Sequence, residues 1–328
     1  MEKTSMKSNK SRWSKFYNKY ATQITMVGVI IVLGIILSIA SPYFFRLSNF
    51  INIGIAISVS GTMAAGLTVV MLMGEMDLSQ YSAMAMIAMI AAVMMSRGVS
   101  PWVALIVSIL LGLGVGLVNA FIVNCMHIAS MIGSIAMMLI CRAGAYLANN
   151  GQYQNITNSV YETIGFGRIV GLPILIIIMV IVFLILGYIL RNTAFGRQVY
   201  AVGGNSVAAE LSGVNIQKMK LMGFIISGAS AGLAAILESS QVGCAMPTAG
   251  AGSEMDGIAA VFLGGVAFTG GKGYMVGSFI GVLLLQVLTN GMTLLNVQPY
   301  FQQLLKGIVL LIAVYSDVVR TRRAKAQK

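Results

Sequence analysis

Charged side chains set inside apolar sequence are the candidates for chemistry in this chain. Glu75 and Asp77 lie in GEMDLSQ (74–80), a glycine-led break between two apolar runs. Arg142 falls within another run, Glu238 near the end of a third, and Glu254 and Asp256 beside a glycine-rich segment. An ionisable group at membrane depth is expensive and marks a pairing, an ion site or a translocation path. Backbone that leaves the helix at that depth is tolerated where protein or water covers it, so the break implies a cavity or a helix cap at one membrane face. Asp77, followed by Leu-Ser and a helical run, also has the form of an N-cap whose carboxylate accepts backbone N–H groups. Glu75, Asp77, Glu254 and Asp256 are therefore read as lining a translocation path or as structural caps, and Arg142 as paired or snorkelling.

Enzyme chemistry finds no support. GGVAFTGGKG (264–273) looks superficially like a phosphate loop. However, Val266 takes the first glycine position and Gly273 replaces the hydroxyl residue after Lys272, so it reads as a tight turn. Cys125, Cys141 and Cys244 are isolated, and His127 is the sole histidine, which gives no metal-like spacing. No cofactor is expected. Met84, Met86, Met89, Met94 and Met95 read as adaptable packing. Gly112/Gly116, Gly228/Gly232 and Gly277/Gly281 each form a GxxxG, the spacing that lets helix backbones approach.

The elements that must hold these residues are membrane helices. Of 328 residues 58% are hydrophobic and 9% charged, with a mean hydropathy of +0.88, whereas a soluble globule is about a quarter charged. Apolar stretches near the ~20 residues needed to cross a bilayer fall at 24–40, 51–73, 82–96, 102–124, 128–148, 172–190, 221–240, 257–271, 275–296 and 300–318. The two shortest of these, 82–96 and 257–271, read as tilted, broken or re-entrant. The fold class expected is an all-α integral membrane protein of about ten transmembrane helices. Residues 1–23 form a basic N-terminal segment, 24–318 the membrane domain and 319–328 a basic tail; the apolar run 24–40 is expected to stay as the first anchor, not to be cleaved. The net charge of +12 sits at both ends and in a central loop. That is the pattern of cytoplasmic flanks facing anionic lipid, not of nucleic-acid binding. Six expected spans precede the central loop and four follow it, so both termini and the loop fall on the cytoplasmic side. Residues 149–171 then form a large outward loop.

The central loop, 191–220, is polar, basic and glycine-rich between hydrophobic flanks. Its TAFGRQVYAVGGNSVAAELSGVNI (193–216) resembles the cytoplasmic signature of permease subunits from bacterial ATP-binding-cassette importers of the ribose, xylose and galactose type. GSEMDGIAAVFLGGVAFTGGKG (252–273) and GLTVVMLMGEMDLS (66–79) are similar to two further blocks of that family in the same order. Glu75, Met76, Gln80 and Tyr81 depart from the usual third block, and Ala129 stands where a proline often opens the next helix.

The resemblance implies a permease moving a monosaccharide, a ribose-like pentose or a hexose, across the bacterial cytoplasmic membrane. It implies a second permease subunit, an extracytoplasmic sugar-binding protein and a separate cytoplasmic ATP-binding subunit. Arg197, Gly204, Asn205, Ala208, Ala209, Ser212 and Gly213 would belong to the loop that docks on that ATPase, with Asn205 or Ser206 capping a short helix. Two other readings compete. An ion-coupled secondary transporter would draw on Glu75, Asp77, Arg142 and Glu238, and a permease for nucleosides or branched-chain amino acids would share the architecture.

Overall fold

The computed structural model describes residues 22–309 together with 311 and 315. The tail 319–328, nearly all of the segment 1–23 and most of 310–318 lie outside the described residues. Twelve helices follow in chain order: α1 (Thr22–Ala40), α2 (Leu47–Leu72), α3 (Gln80–Ser96), α4 (Pro101–Asn124), α5 (Ser130–Leu147), α6 (Ser159–Phe166), α7 (Ile174–Asn192), α8 (Ala194–Gly204), α9 (Ser206–Leu211), α10 (Ile216–Val242), α11 (Glu254–Leu263) and α12 (Met275–Leu294). A further helical stretch begins at 299. Two-residue strands make two small antiparallel pairs, β1 (Gln154–Asn155) with β4 (Cys244–Ala245), and β2 (Arg168–Ile169) with β3 (Leu172–Pro173).

Among the described residues, seven helices (α1, α2, α4, α5, α7, α10 and α12) are long and apolar enough to cross a bilayer. α2 and α10 form the interior, with 78% and 61% of their best windows buried, against 11% for α1. α4 shows why the peripheral helices are apolar on the outside too: Ile106, Leu110, Leu117 and Phe121 lie along one exposed stripe, the face a helix offers to lipid.

The stretch expected at 257–271 takes a different form. Its helix, α11, has ten residues and a length of about 15 Å, half the hydrocarbon thickness. Beyond Leu263 the chain leaves the helix because Gly265, Gly270, Gly271 and Gly273 all take positive φ. The segment nevertheless runs between opposite ends of α10. It leaves the 243–253 loop that follows α10, and reaches α8, where the Tyr200 hydroxyl donates to the Gly273 carbonyl at 2.9 Å. Its helix stops halfway between them. The 149–171 loop likewise holds structure that hydropathy does not reveal, since α6 begins with the Asn158 side chain accepting from Val160 N–H.

Glycine sets the tightest helix crossing. α4 and α10 meet through Gly112 and Gly116 on one side and Gly228 and Gly232 on the other. A Cβ built at Gly112 would collide with the Gly228 carbonyl oxygen, and one at Gly228 with that of Gly112. Gly277 and Gly281 do the same against Gly264 and Ala260. The three GxxxG pairs thus mark real backbone contacts. Gly228→Leu is expected to destabilise by about 3 kcal/mol, the upper end for overpacking, because the colliding atoms are backbone. Gly114→Leu, where nothing lies within 4 Å, leaves stability unchanged. Thermal melts of the two purified variants in detergent check the crossing, and equal melting temperatures would contradict it.

Candidate functional site

Residues 74–79 leave the helix between α2 and α3, with Gly74 at φ +79°. The freed groups are met by one carboxylate and its neighbours. Asp77 is 3% exposed. Its Oδ1 accepts from the Ser79 amide (3.0 Å), the Ser79 hydroxyl (2.6 Å) and the Asn119 amide (3.3 Å). Its Oδ2 accepts from the Ser227 hydroxyl at 2.6 Å. Asn119 belongs to α4 and Ser227 to α10, so Asp77 ties the start of α3 to two other helices. Gln80 adds its side-chain amide to the Ser227 (2.8 Å) and Ser230 (3.2 Å) hydroxyls. The Met76 amide donates to the Ser130 hydroxyl at the start of α5. Glu75 pairs with Lys220 at the start of α10. As a cap Asp77 acts only in part, because Ser79 is the N-cap of α3 and Asp77 receives one backbone amide and three side-chain donors.

Directly beside this break the central loop meets the glycine turn that follows α11. Gly271 N–H donates to the Leu72 carbonyl at 2.8 Å. A Cβ at Gly203 would run into that same carbonyl and into the Gly271 nitrogen, and one at Gly270 would run into Gly74. The end of α8, the turn at 270–273 and the end of α2 are therefore stacked backbone on backbone. Burial pushes the Tyr200 phenol up to about 12, so it stays protonated at neutral pH and holds its bond to Gly273.

The loop itself is rigid and polar-capped. Thr193 Oγ1 accepts from Gly196 N–H at the start of α8, Asn205 Oδ1 from Ala208 N–H at the start of α9, and Asn215 Oδ1 from Lys218 N–H at the start of α10. Gly213 closes the loop at φ +84°. Within α9, Ala209 is the buried anchor at 5% exposure, while Val207 and Leu211 stand 65% and 86% exposed with Ala208 between them. Arg197, Gly204 and Ser212 are exposed on the same loop.

At the other end of α10 the remaining charges pair. Arg142 donates to the Pro247 and Ala249 carbonyls at 2.8 Å each and meets Glu254 at 3.3 Å. Lys306 meets Asp256 at 2.8 Å. Asp256, Lys306 and Glu238 line a cavity of about 330 Å³; neither Glu75 nor Asp77 does. The sequence-selected carboxylates thus divide into a buried break (Glu75, Asp77) and a rim at the opposite end (Glu254, Asp256). Sequence reasoning missed Asn119, Ser227, Gln241 and Gln286, neutral polar residues in apolar helices whose only signal is their placement. Groups of three or more residues able to hold a metal are absent among the described residues.

Fold and site together define a multi-span, helical membrane protein centred on a protein-satisfied break. Residues 49–314 match the family described as branched-chain amino acid transport system, permease component, and the chain belongs to that family. It is 38% identical to the ribose import permease protein of Escherichia coli strain K12 over 90% of this chain and 93% of that one. It is 37% identical to the ribose import permease protein of Bacillus subtilis, over 87% and 89%. The L-arabinose ABC transporter permease protein of Azospirillum brasilense is 32% identical, over 92% and 89%. No solved structure matches.

Asp77→Ala, which strands donors from α4 and α10, is expected to destabilise by about 3 kcal/mol, and Asp77→Asn by less because an acceptor remains. Melting temperatures of the purified variants measure this. An Asp77→Ala protein that melts like the parent would remove Asp77 as the tie between these helices.

Proposed function

We propose that the chain is the membrane-spanning subunit of an ATP-driven importer that moves a monosaccharide, a ribose-like pentose or a hexose, inward across a bacterial cytoplasmic membrane. The observation that carries this reading is the near full-length similarity to ribose and arabinose permeases. A separate ATP-binding subunit powers the cycle, an extracytoplasmic binding protein delivers the sugar, and a second permease subunit completes the path. Both termini and the 191–220 loop lie on the cytoplasmic side, with the broken span 254–274 counted among about ten crossings.

The geometry of α9 supports the coupling part. Its exposed Val207, Ala208 and Leu211 offer a short apolar edge on a capped, rigid helix. α8 links that helix to the 270–273 turn and to the end of α2, so a push on α9 arrives next to the break at 74–79. Ion coupling is less well supported: of the four residues it would draw on, Glu75, Asp77 and Arg142 are committed to partners inside the protein, which leaves Glu238, whose Oε2 has no partner among the described residues.

Ala208→Asp tests the coupling. Its side chain is exposed and lies in the first turn of α9, where a carboxylate suits the helix dipole, so the fold is retained. In membrane vesicles holding the ATPase and binding protein, sugar uptake is expected to require ATP and to fall about tenfold or more in this variant, a loss typical of a charge buried unpaired in an apolar contact. Uptake that ignores ATP and the substitution but collapses with an ionophore would replace this reading with ion-coupled transport.

A further inference from the structure

Polar side chains inside this protein behave in two ways. At the break the Asp77 carboxylate is met by four donors, although the buried Asn119 Oδ1 beside it has no partner among the described residues. At the far end of α10 the reverse holds. The cavity of about 330 Å³ lies between α2, α3, α10, α11 and α12. On its wall stand the Ser60 hydroxyl, the Tyr81 phenol and the side-chain amides of Gln241 and Gln286, none with an intramolecular hydrogen bond among the described residues. Glu238 lines it as well, and its Oε2 is shielded from solvent and likewise unpartnered. Of these, the Tyr81 side chain and the Glu238 Oε2 are buried, and a buried group left unmet costs about 1–3 kcal/mol; Ser60, Gln241 and Gln286 are half-buried. Packing alone gives no reason for four helices to turn unmet polar groups toward one space.

The chemistry of the wall selects among ligands. Among the described residues Lys306 is the one lining cation, and Asp256 already holds it, so an anion finds no free positive charge there. Hydroxyls and amides both give and accept, and Glu238 accepts, which is the complement of a ring of alcohol groups. Val59, Met84 and Leu285 supply apolar surface for the C–H faces that a sugar ring also carries. The volume sits near the lower bound of about 300–1,000 Å³ for small-molecule sites, enough for one ring.

We propose that this cavity is a holding site for a single neutral monosaccharide within the permease, with Glu238, Gln241 and Gln286 reading its hydroxyls. This rests on the importer reading and adds that the membrane subunit itself inspects its cargo. The site lies at the end of α10 remote from the 193–215 loop, where cargo entering from the extracytoplasmic side would first be held.

The test is equilibrium binding of radiolabelled D-ribose, L-arabinose and D-galactose to the permease assembled with its ATPase in lipid nanodiscs, with no binding protein present. Saturable binding of at least one sugar is expected, uncompeted by inorganic phosphate or leucine. Gln286→Leu and Glu238→Ala should weaken it about tenfold or more, the scale seen when a site's polar partner is removed, while Glu238→Gln retains part of it. Should Glu238→Ala fail to assemble, Gln286→Leu, at a half-buried position of α12, carries the measurement. ATP-driven uptake with the binding protein restored is followed in parallel. Complexes that import a sugar yet bind none saturably, or variants that bind like the parent, overturn the holding site and leave the importer standing. Competition by leucine or phosphate overturns the choice of a neutral sugar. Complexes that import none of the three sugars while ATPase and binding protein are active overturn the importer reading, and the holding site with it.

Discussion

A chain that leaves its helix inside a bilayer must have its freed backbone groups satisfied by protein, since lipid offers nothing. Between α2 and α3 the Asp77 carboxylate meets the Ser79 amide, the Ser130 hydroxyl meets the Met76 amide, and the Leu72 carbonyl accepts from Gly271 N–H. Asp77 takes donors from its own turn, from α4 and from α10, so three helices converge on two oxygen atoms. Charge-assisted bonds of this kind are short and stronger than neutral ones, and in a low-dielectric interior they fix geometry closely. The position of α3, and with it the Tyr81 and Met84 side chains that line the cavity, follows from that constraint.

Glycine makes the convergence possible. Asn119 on α4 reaches Asp77 only because α4 and α10 approach backbone to backbone through Gly112, Gly116, Gly228 and Gly232. The same device joins the end of α8 to the 270–273 turn and to Leu72. Contacts made of backbone do not deform gradually, because there is no side chain to change rotamer. On the importer reading this matters for mechanism: a displacement of α9 is passed through α8 to the break as a rigid shift, not absorbed along the way. The Glu75–Lys220 pair then ties the break to the start of α10, the helix whose other end borders the cavity.

Much of this was legible in the sequence where the signal was local. The GxxxG spacings, the cap at Asn205, the pairing of Arg142 and the turn at GGVAFTGGKG each depend on a few neighbouring residues. The membrane helices announce themselves by composition. What was not legible is long-range and neutral. Ser227 and Asn119 are separated from Asp77 by 150 and 42 residues, and a serine in an apolar helix has the same appearance whether it bonds its own i−4 carbonyl, as Ser108 does, or a carboxylate on another helix. The form of residues 254–274 was likewise hidden. Hydropathy records that the segment is apolar, not that its glycines end the helix halfway.

The two polar regions differ in what they can afford to do. A carboxylate with four donors already on it resists water and cargo alike, because a newcomer has to displace bonds already made; Asp77 is accordingly an unsuitable contact for a passing solute despite lying in the most conspicuous motif. An unsaturated wall is the converse: Gln241, Gln286 and Glu238 gain bonds by admitting a hydroxylated guest and lose little in releasing it to water. Transport needs both properties in one molecule, rigidity where force is carried and weak, replaceable contacts where cargo rests. α10 supplies them at separate positions, with Ser227 locked into the break and Glu238, three helical turns further on, set in the cavity wall.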